Sequence, residues 1–133
     1  MFSYLLIDTS AWIESFPSSG NPIVQTALAD ALTKNLAATC GIIRLELLQG
    51  AHDAEQYTTL QLDLDRVHNL PIKESLWEET SQLSFNLRRR GFTIPTTDVV
   101  IAAVAMHYHC ALLHYDRHFD LIARHAPLKL FKR

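Results

Sequence analysis

The sequence predicts an α/β fold, a three-layer α/β/α sandwich around a short central parallel sheet. Short apolar segments alternate with longer helix-forming segments along the chain, which is typical of a parallel sheet with helices on both faces. Two of the apolar segments end on an aspartate, as "LLID" and "LLHYD" show. Because α/β proteins bind ligands at the carboxyl ends of their strands, these two aspartates are the first functional signal.

Length and composition indicate one globular domain spanning residues 1–133. The chain is 48% hydrophobic and 20% charged, and a chain of this length buries enough surface to fold without disulfides. Cys40 and Cys110 are expected to be small buried side chains. No apolar run reaches the ~20 residues of a membrane span, and "MFSYLLID" lacks the basic start of a signal peptide. We therefore expect a cytoplasmic protein with no membrane partner.

The first half of the chain is predicted to hold two strands and four helices. Asn21 and Pro22 are strong signals for a helix start, Asp53 is a plausible helix cap, and Gly50 is a plausible helix end. The predicted elements are a strand over 4–8, a short helix over 9–16 ended by "PSSGNP", a helix from Asn21 to about Leu36, a strand over 36–41, a helix over 42–51 and a helix over 53–67.

The second half is predicted to hold three strands and three helices. Gly91 is expected to stop the first of these helices, and Thr96 or Thr97 is expected to cap the second. The predicted elements are a strand over 67–72, a helix over about 73–90, a helix over 94–108, a strand over 110–116, a short helix over 117–125 and a last strand over 128–131.

Four acidic residues occupy positions that are unfavourable for solvated charge. Asp8 and Asp116 each close a strand that should be buried. Glu46 lies between leucines on an apolar helix, and Asp98 opens a helix that is apolar on most of its circumference. Each has a simpler explanation when taken alone: Asp8 and Asp98 could stabilise helix N-termini by about 0.3–1 kcal/mol, Asp116 could begin a turn, and Glu46 could pair with Arg44 or Arg88.

Together the four acids favour a metal site. Two unit charges ~4 Å apart repel by ~4 kcal/mol at an effective dielectric constant near 20, so a cluster of them needs protons or cations. Oxygen ligands favour Mg²⁺ or Mn²⁺. The chemistry that such a site suggests is metal-assisted hydrolysis of a phosphodiester.

The stretches "LLIDTSAWIE", "RLELLQGA", "LRRRGFTIPTTDVVIAA" and "ALLHYDRHFD" together resemble PIN-domain ribonucleases, in particular the VapC-type toxins of toxin–antitoxin pairs. The resemblance covers essentially the whole chain, and the four acidic motifs occur in the family's order. It implies an endoribonuclease of PIN-like fold that depends on Mg²⁺ or Mn²⁺. It also implies an RNA substrate, a VapB-like antitoxin partner and a homodimer.

The resemblance assigns the catalytic and metal-binding roles to Asp8, Glu46, Asp98 and Asp116. Asp8 and Asp98 are the expected direct ligands, and Glu46 and Asp116 complete the site or act through water. Thr9 and Ser10 are candidates to orient the Asp8 carboxylate or a phosphate.

Many relatives carry a further acid two residues after the last aspartate. This chain has His118 there and Asp120 just after Phe119, so the sequence leaves open whether Asp120 or His118 assists the site.

Other features have structural explanations that we favour over functional ones. Arg88–Arg90 would complement a helix C-terminus more often than they would bind RNA. Zinc is disfavoured because the histidines around Cys110 lack the spacing of known zinc motifs. His114 or His118 could contact substrate or donate a hydrogen bond at the edge of the pocket. The aromatic residues expected to be buried, or packed in a dimer or antitoxin interface, are Trp12, Phe16, Trp77 and Phe85.

Two competing classes remain after these arguments. A phosphatase or phosphate-accepting receiver domain also places acids and magnesium at strand ends, but this chain has Ser10 where the haloacid-dehalogenase type needs a second aspartate. The other alternative is a non-catalytic PIN-like module that binds RNA or serves as a scaffold. Such modules commonly lack several of the site acids, whereas this chain has all four.

Overall fold

The computed structural model describes residues 3–16 and 20–132. Its strands are β1 (Leu5–Ile7), β2 (Ala37–Thr39), β3 (His68–Asn69), β4 (Ala111–Leu113) and β5 (Lys129–Leu130). Its helices are α1 (Thr9–Ser15), α2 (Pro22–Thr33), α3 (Gly41–Gln49), α4 (Ala54–Asp65), α5 (Glu74–Arg89), α6 (Thr96–His107) and α7 (Arg117–Ala123). The predicted α/β architecture is confirmed, with a five-stranded parallel sheet flanked by helices. Residues 17–19, in the predicted "PSSGNP" terminator, lie outside the described part of the chain.

The sheet has the strand order β3-β2-β1-β4-β5, and all of its pairings are parallel. The chain moves outward from β1 to β3 on one side and then crosses over to build β4 and β5 on the other. The order of the strands therefore reverses between β1 and β4, and this switch point is where α/β sheets form ligand crevices. Asp8 follows β1 and lies beside the end of β4, since its amide donates to the Leu113 carbonyl at 2.9 Å.

Local hydrogen bonds explain where most of the helices begin. Asn21 caps α2 by accepting from the amides of Ile23 and Val24, and Asp53 caps α4 by accepting from the amide of Gln56, as predicted. The prediction that Thr96 or Thr97 caps α6 is wrong, because Pro95 is the N-cap in extended backbone (φ −53°, ψ 137°). Its carbonyl accepts from the Asp98 and Val99 amides.

Two helices, α2 and α5, end next to a residue with a positive φ angle. The helix α2 ends at Thr33 rather than near Leu36, because Asn35 takes the left-handed conformation with φ 57°. At the end of α5, Gly91 has φ 89°, a value that glycine adopts without strain. The predicted stop at Gly91 is therefore confirmed, and its cause is the positive φ.

The core is centred on α6, which is buried on every side from Val99 to Ala105. A helix that is apolar all round is expected to be fully buried. Cys40 and Cys110 are free and buried, as predicted. Trp12 is buried, but the burial predicted for the other three aromatic residues is wrong: Phe16, Trp77 and Phe85 are 53%, 48% and 57% exposed. Among the described residues, no helix combines the length and the apolar character needed to cross a membrane.

Replacing Asn21 with alanine should lower the free energy of unfolding by about 1 kcal/mol, because it removes the acceptor of two amides at the start of α2. Urea denaturation followed by circular dichroism measures this change. Asn21→Asp is the matched control, since aspartate keeps the accepting oxygen. Equal losses in both variants would contradict the capping role.

Candidate active site

Asp8 is the most buried of the four predicted acids, with 3% of its surface exposed. Its Oδ2 accepts from the Ser10 amide at 2.9 Å and from Ser10 Oγ at 2.5 Å, and Asp8 is thereby the N-cap of α1. The capping explanation is correct for this one oxygen. Its Oδ1 is buried and accepts no hydrogen bond within the part of the chain that the structure describes. Because a buried carboxylate oxygen without a partner is costly, capping alone does not account for Asp8.

Glu46 lies on α3 and turns toward the residue that follows Asp8. Thr9 Oγ1 donates to Glu46 Oε1 at 2.7 Å. The alternative of a Glu46–Arg44 pair is wrong, because Arg44 contacts Asp65 with an N–O distance of 3.0 Å. The first turn of α1 thus holds two of the predicted acids, one through Ser10 and one through Thr9.

Asp98 and Asp116 meet at His118. The Nδ1 atom of His118 is 2.9 Å from Asp98 Oδ2 and 3.3 Å from Asp116 Oδ1. The His118 amide also donates to Asp116 Oδ1 at 2.9 Å, which makes Asp116 the N-cap of α7. One ligand atom from each of these three residues lies within 4.8 Å of the others, so they form a possible metal-binding group.

Neighbouring acids contribute to the raised pKa values of Asp8 and Asp98. Burial raises the pKa of Asp8 to about 6, the Ser10 hydrogen bonds oppose this, and the charges of Asp98 and Glu46 raise it further. Burial also raises the pKa of Asp98, with contributions in the same direction from Asp116 and Glu46, and His118 opposes it. Every one of the four predicted acids therefore takes part in one electrostatic cluster.

Ser10 joins the ends of the two central strands. Its Oγ donates to Asp8 Oδ2 and accepts from the Tyr115 amide at 2.8 Å. The loop after β4 is held further by His114, whose Nδ1 accepts from the Asp116 amide. These contacts position Asp8 and Asp116 relative to each other at the switch point. The sequence offered Ser10 only as a candidate, because its partner Tyr115 is distant in the chain.

The structure separates Asp120 from the acid cluster. Asp120 Oδ1 is 3.7 Å from His114 Nε2, and both residues line a cavity of about 440 Å³ that also includes Asn21 and Phe131. It is His118, and not Asp120, that contacts Asp98 and Asp116. The sequence could not distinguish the two because both lie within four residues of Asp116.

The other histidines and the arginine run have separate roles in the structure. Among the described residues, the possible metal-binding group is Asp98, Asp116 and His118, whereas His107 contacts Glu79 at 2.9 Å. These positions give no support to a zinc site around Cys110. Arg88 and Arg89 lie in the last turn of α5, as the helix-terminus explanation predicts.

Two grooves meet at Phe16, and one of them includes Glu46 of the acid site. One has a volume of about 430 Å³ and runs from Glu46 along Ile13 and Phe16. A second, of about 850 Å³, shares Phe16 and includes Trp12 and Arg66. The exposed rings and aliphatic chains on these walls make them suitable for an apolar partner segment.

The amino-acid sequence of this chain is similar to those of known proteins. Residues 5–125 match the family model described as PIN domain. The chain is 33% identical over 124 residues to the ribonuclease VapC11 of Mycobacterium tuberculosis, covering 90% of this chain and 92% of that protein. It is 29% identical over 123 residues to the ribonuclease VapC21 of the same species, covering 90% and 86% of the two chains.

Solved structures with a similar fold are toxin–antitoxin proteins. VapBC2 of Rickettsia felis, bound to a DNA fragment of its promoter, superposes with a TM-score of 0.79 at 18% identity, covering 96% of this chain and 97% of that one. VapC20 of Mycobacterium tuberculosis, described as a toxin that cleaves the sarcin–ricin loop, superposes with a TM-score of 0.67 at 15% identity, covering 88% and 93%. At these identities the likeness concerns the fold alone.

Proposed function

Because the chain belongs to the PIN-domain family and is related to its VapC ribonucleases, we propose that it is the endoribonuclease toxin of a toxin–antitoxin pair. Its reaction is the hydrolysis of RNA phosphodiester bonds with the aid of Mg²⁺ or Mn²⁺. The observation that supports the proposal is the group formed by Asp98, Asp116 and His118, with Asp8 and Glu46 held at the first turn of α1.

The site fits a divalent cation. The buried Oδ1 of Asp8 lacks a hydrogen-bond donor among the described residues, and a cation satisfies such an oxygen. Burial and neighbouring charges raise the pKa values of Asp8 and Asp98, so the ionised cluster is unstable by itself and a positive charge relieves it. Carboxylate oxygens are ligands that Mg²⁺ and Mn²⁺ prefer.

Asp8 and Asp98 would hold the ion directly, with Glu46 and Asp116 completing the site. When bound, the ion supplies stabilisation of negative charge on the phosphate and activation of the attacking water. Ser10 holds Asp8 in place through two hydrogen bonds, and Thr9 holds Glu46 through one. Because these donors fix the carboxylates before substrate arrives, the residues need little reorganisation during the reaction.

The exposure of the site suits a polymeric substrate. Asp98 and Asp116 retain 13% and 32% of their side-chain surface, so an RNA phosphodiester can approach them from one side. Four carboxylates would repel a phosphate, and the cation is therefore needed for binding as well as for chemistry. We propose that this chain cleaves RNA in the cytoplasm.

A VapB-like antitoxin is the proposed protein partner. Structural neighbours of this chain are toxin–antitoxin complexes, and the groove at Phe16 leads to Glu46 in the acid cluster. A homodimer is the proposed assembly. Its support is the exposure of Trp77 and Phe85 on one helix, since large exposed apolar rings commonly lie in interfaces.

The test is cleavage of bulk RNA by the purified chain. We expect millimolar Mg²⁺ or Mn²⁺ to give cleavage products that excess EDTA abolishes. RNA binding is measured in parallel by filter retention. Equal RNA binding with and without EDTA, together with no cleavage in either metal, would favour the non-catalytic module instead.

The antitoxin proposal has its own test. The product of the adjacent open reading frame is co-expressed with the tagged chain, and the purified complex is assayed on the same RNA. We expect co-purification and suppression of cleavage. A neighbouring gene product that neither binds nor inhibits would contradict the pairing.

A further inference from the structure

His118 places an imidazole nitrogen inside the group of acids. Its Nδ1 lies 2.9 Å from Asp98 Oδ2 and 3.3 Å from Asp116 Oδ1. The ligand atoms of the three residues are within 4.8 Å of one another, a separation that one ion can bridge.

The backbone fixes this position of the ring. The His118 amide donates to Asp116 Oδ1 at 2.9 Å, so the first turn of α7 sets His118 relative to Asp116. The His118 side chain is 34% exposed, and within the described residues its ion-pair contacts are with Asp98 and Asp116. The imidazole is thus directed at the site and not at a separate surface ion pair.

An independent observation indicates that an ion belongs there. The buried Oδ1 of Asp8 has no hydrogen-bond donor within the described residues, and Asp8 feels the charge of Asp98 directly. The oxygen that lacks a partner therefore belongs to a residue whose ionisation is affected by the charge of Asp98.

We propose that His118 is a nitrogen ligand of the metal site and makes the site prefer Mn²⁺ to Mg²⁺. This rests on the proposed function, because it concerns the ion that the acid cluster holds. In the metal-free protein, Nδ1 of His118 contacts Asp98 Oδ2 and Asp116 Oδ1. With a metal ion bound, His118 would hold the ion through Nδ1, together with the carboxylate oxygens of Asp98 and Asp116.

The preference follows from the chemistry of the donor atoms. Mg²⁺ binds oxygen almost exclusively and releases its waters reluctantly, whereas first-row transition ions accept imidazole well and in the order Mn²⁺ < Fe²⁺ < Co²⁺ < Ni²⁺. A neutral imidazole in place of a carboxylate also removes one negative charge from the ligand set. The loss of charge weakens the binding of both ions, and the imidazole restores affinity for Mn²⁺ more than for Mg²⁺.

The direct test is electron spin echo spectroscopy of the full chain loaded with Mn²⁺ alone, without RNA. We expect modulation from a directly coordinated ¹⁴N nucleus in the wild type and none in His118→Asp. His109→Asn is the matched control, since His109 is exposed and has φ 56°, a conformation that asparagine tolerates. Its spectrum should equal that of the wild type.

Calorimetric titration with each ion gives the second readout. We expect the ratio of the Mg²⁺ to the Mn²⁺ dissociation constant to fall by about tenfold in His118→Asp, and to stay unchanged in His109→Asn. The wild-type spectrum does not depend on the folding of any variant. Bound Mn²⁺ without nitrogen modulation would overturn this inference and leave the proposed function intact. Failure of the wild type to bind Mn²⁺ would overturn this inference, and failure to bind either ion would overturn the proposed function as well.

Discussion

Asp98→Asn should lower the initial rate of RNA cleavage by on the order of 10³-fold at saturating Mn²⁺. Asparagine keeps an oxygen that accepts from His118 Nδ1, so the local contact survives while the charge is lost. Residues that only support a metal ligand already contribute 10–100-fold to affinity or activity, roughly, and a ligand at the centre of the cluster contributes more. Initial rates on a defined RNA, measured by gel electrophoresis, give the comparison.

Asp120→Asn is the control for this loss. Asp120 lies on the same helix as His118 but contacts His114, outside the acid cluster. The rate of this variant should remain close to that of the wild type. A similar loss in both variants would show that negative charge around α7 matters in general, and an active Asp98→Asn variant would contradict the assignment of the site.

The metal-free protein should become less stable as the pH rises from 4 to 7, and Asp8→Asn should remove much of this dependence. The pKa of Asp8 is about 6 in the folded protein and 3.8 in its ordinary state, with burial as the main cause. Between these values the folded protein binds more protons than the unfolded chain, so the free energy of unfolding falls as the pH rises. The raised pKa of Asp98 acts in the same direction.

The size of the effect follows from the shift. Two pKa units correspond to about 3 kcal/mol. This destabilisation of the folded, metal-free protein is absent below the ordinary pKa of Asp8 and complete above pH 6. In EDTA, Asp8→Asn should therefore match the wild type near pH 4 and exceed its stability by up to about 3 kcal/mol at pH 7.5. Urea denaturation at a series of pH values measures the difference between the two proteins.

Two controls separate metal-site charge from helix capping. Asp53→Asn changes a capping acid outside the cluster and should show no comparable gain at high pH. Saturating Mg²⁺ or Mn²⁺ should stabilise the wild type by about 2.7 kcal/mol at a hundredfold excess over its dissociation constant, and should stabilise Asp8→Asn much less. A metal-free Asp8→Asn variant that is less stable than the wild type at pH 7.5 would indicate that capping dominates at Asp8.

Much of the secondary structure could be predicted because its causes are local. Asn21 reaches the amides two and three residues ahead, and Asp53 reaches the amide three residues ahead. Such hydrogen bonds depend on residue type and spacing alone. The cap of α6 was missed because two threonines there match the same pattern, while Pro95 starts the helix through its backbone conformation.

Burial was harder to predict for aromatic side chains than for the central helix. The helix α6 is apolar on all sides, and such a helix has few arrangements other than full burial. Phe16, Trp77 and Phe85 lie on elements with a polar side, and their exposure depends on how those elements pack. An exposed aromatic ring and a buried one look alike in sequence.

The amino-acid sequence was enough to predict the order of strands and helices, the position of Asp8 after β1, and the family of the chain. The prediction that Asp116 closes a strand is wrong, because β4 ends at Leu113 and Asp116 is the N-cap of α7. Three features depend on the folded chain: the pairing of β1 with β4, the Thr9–Glu46 hydrogen bond and the contact of His118 with Asp98. Separation along the chain explains this difference. Caps and turns join residues a few positions apart, whereas the Thr9–Glu46 and Asp98–His118 contacts join residues that are distant in the chain and are brought together by the fold.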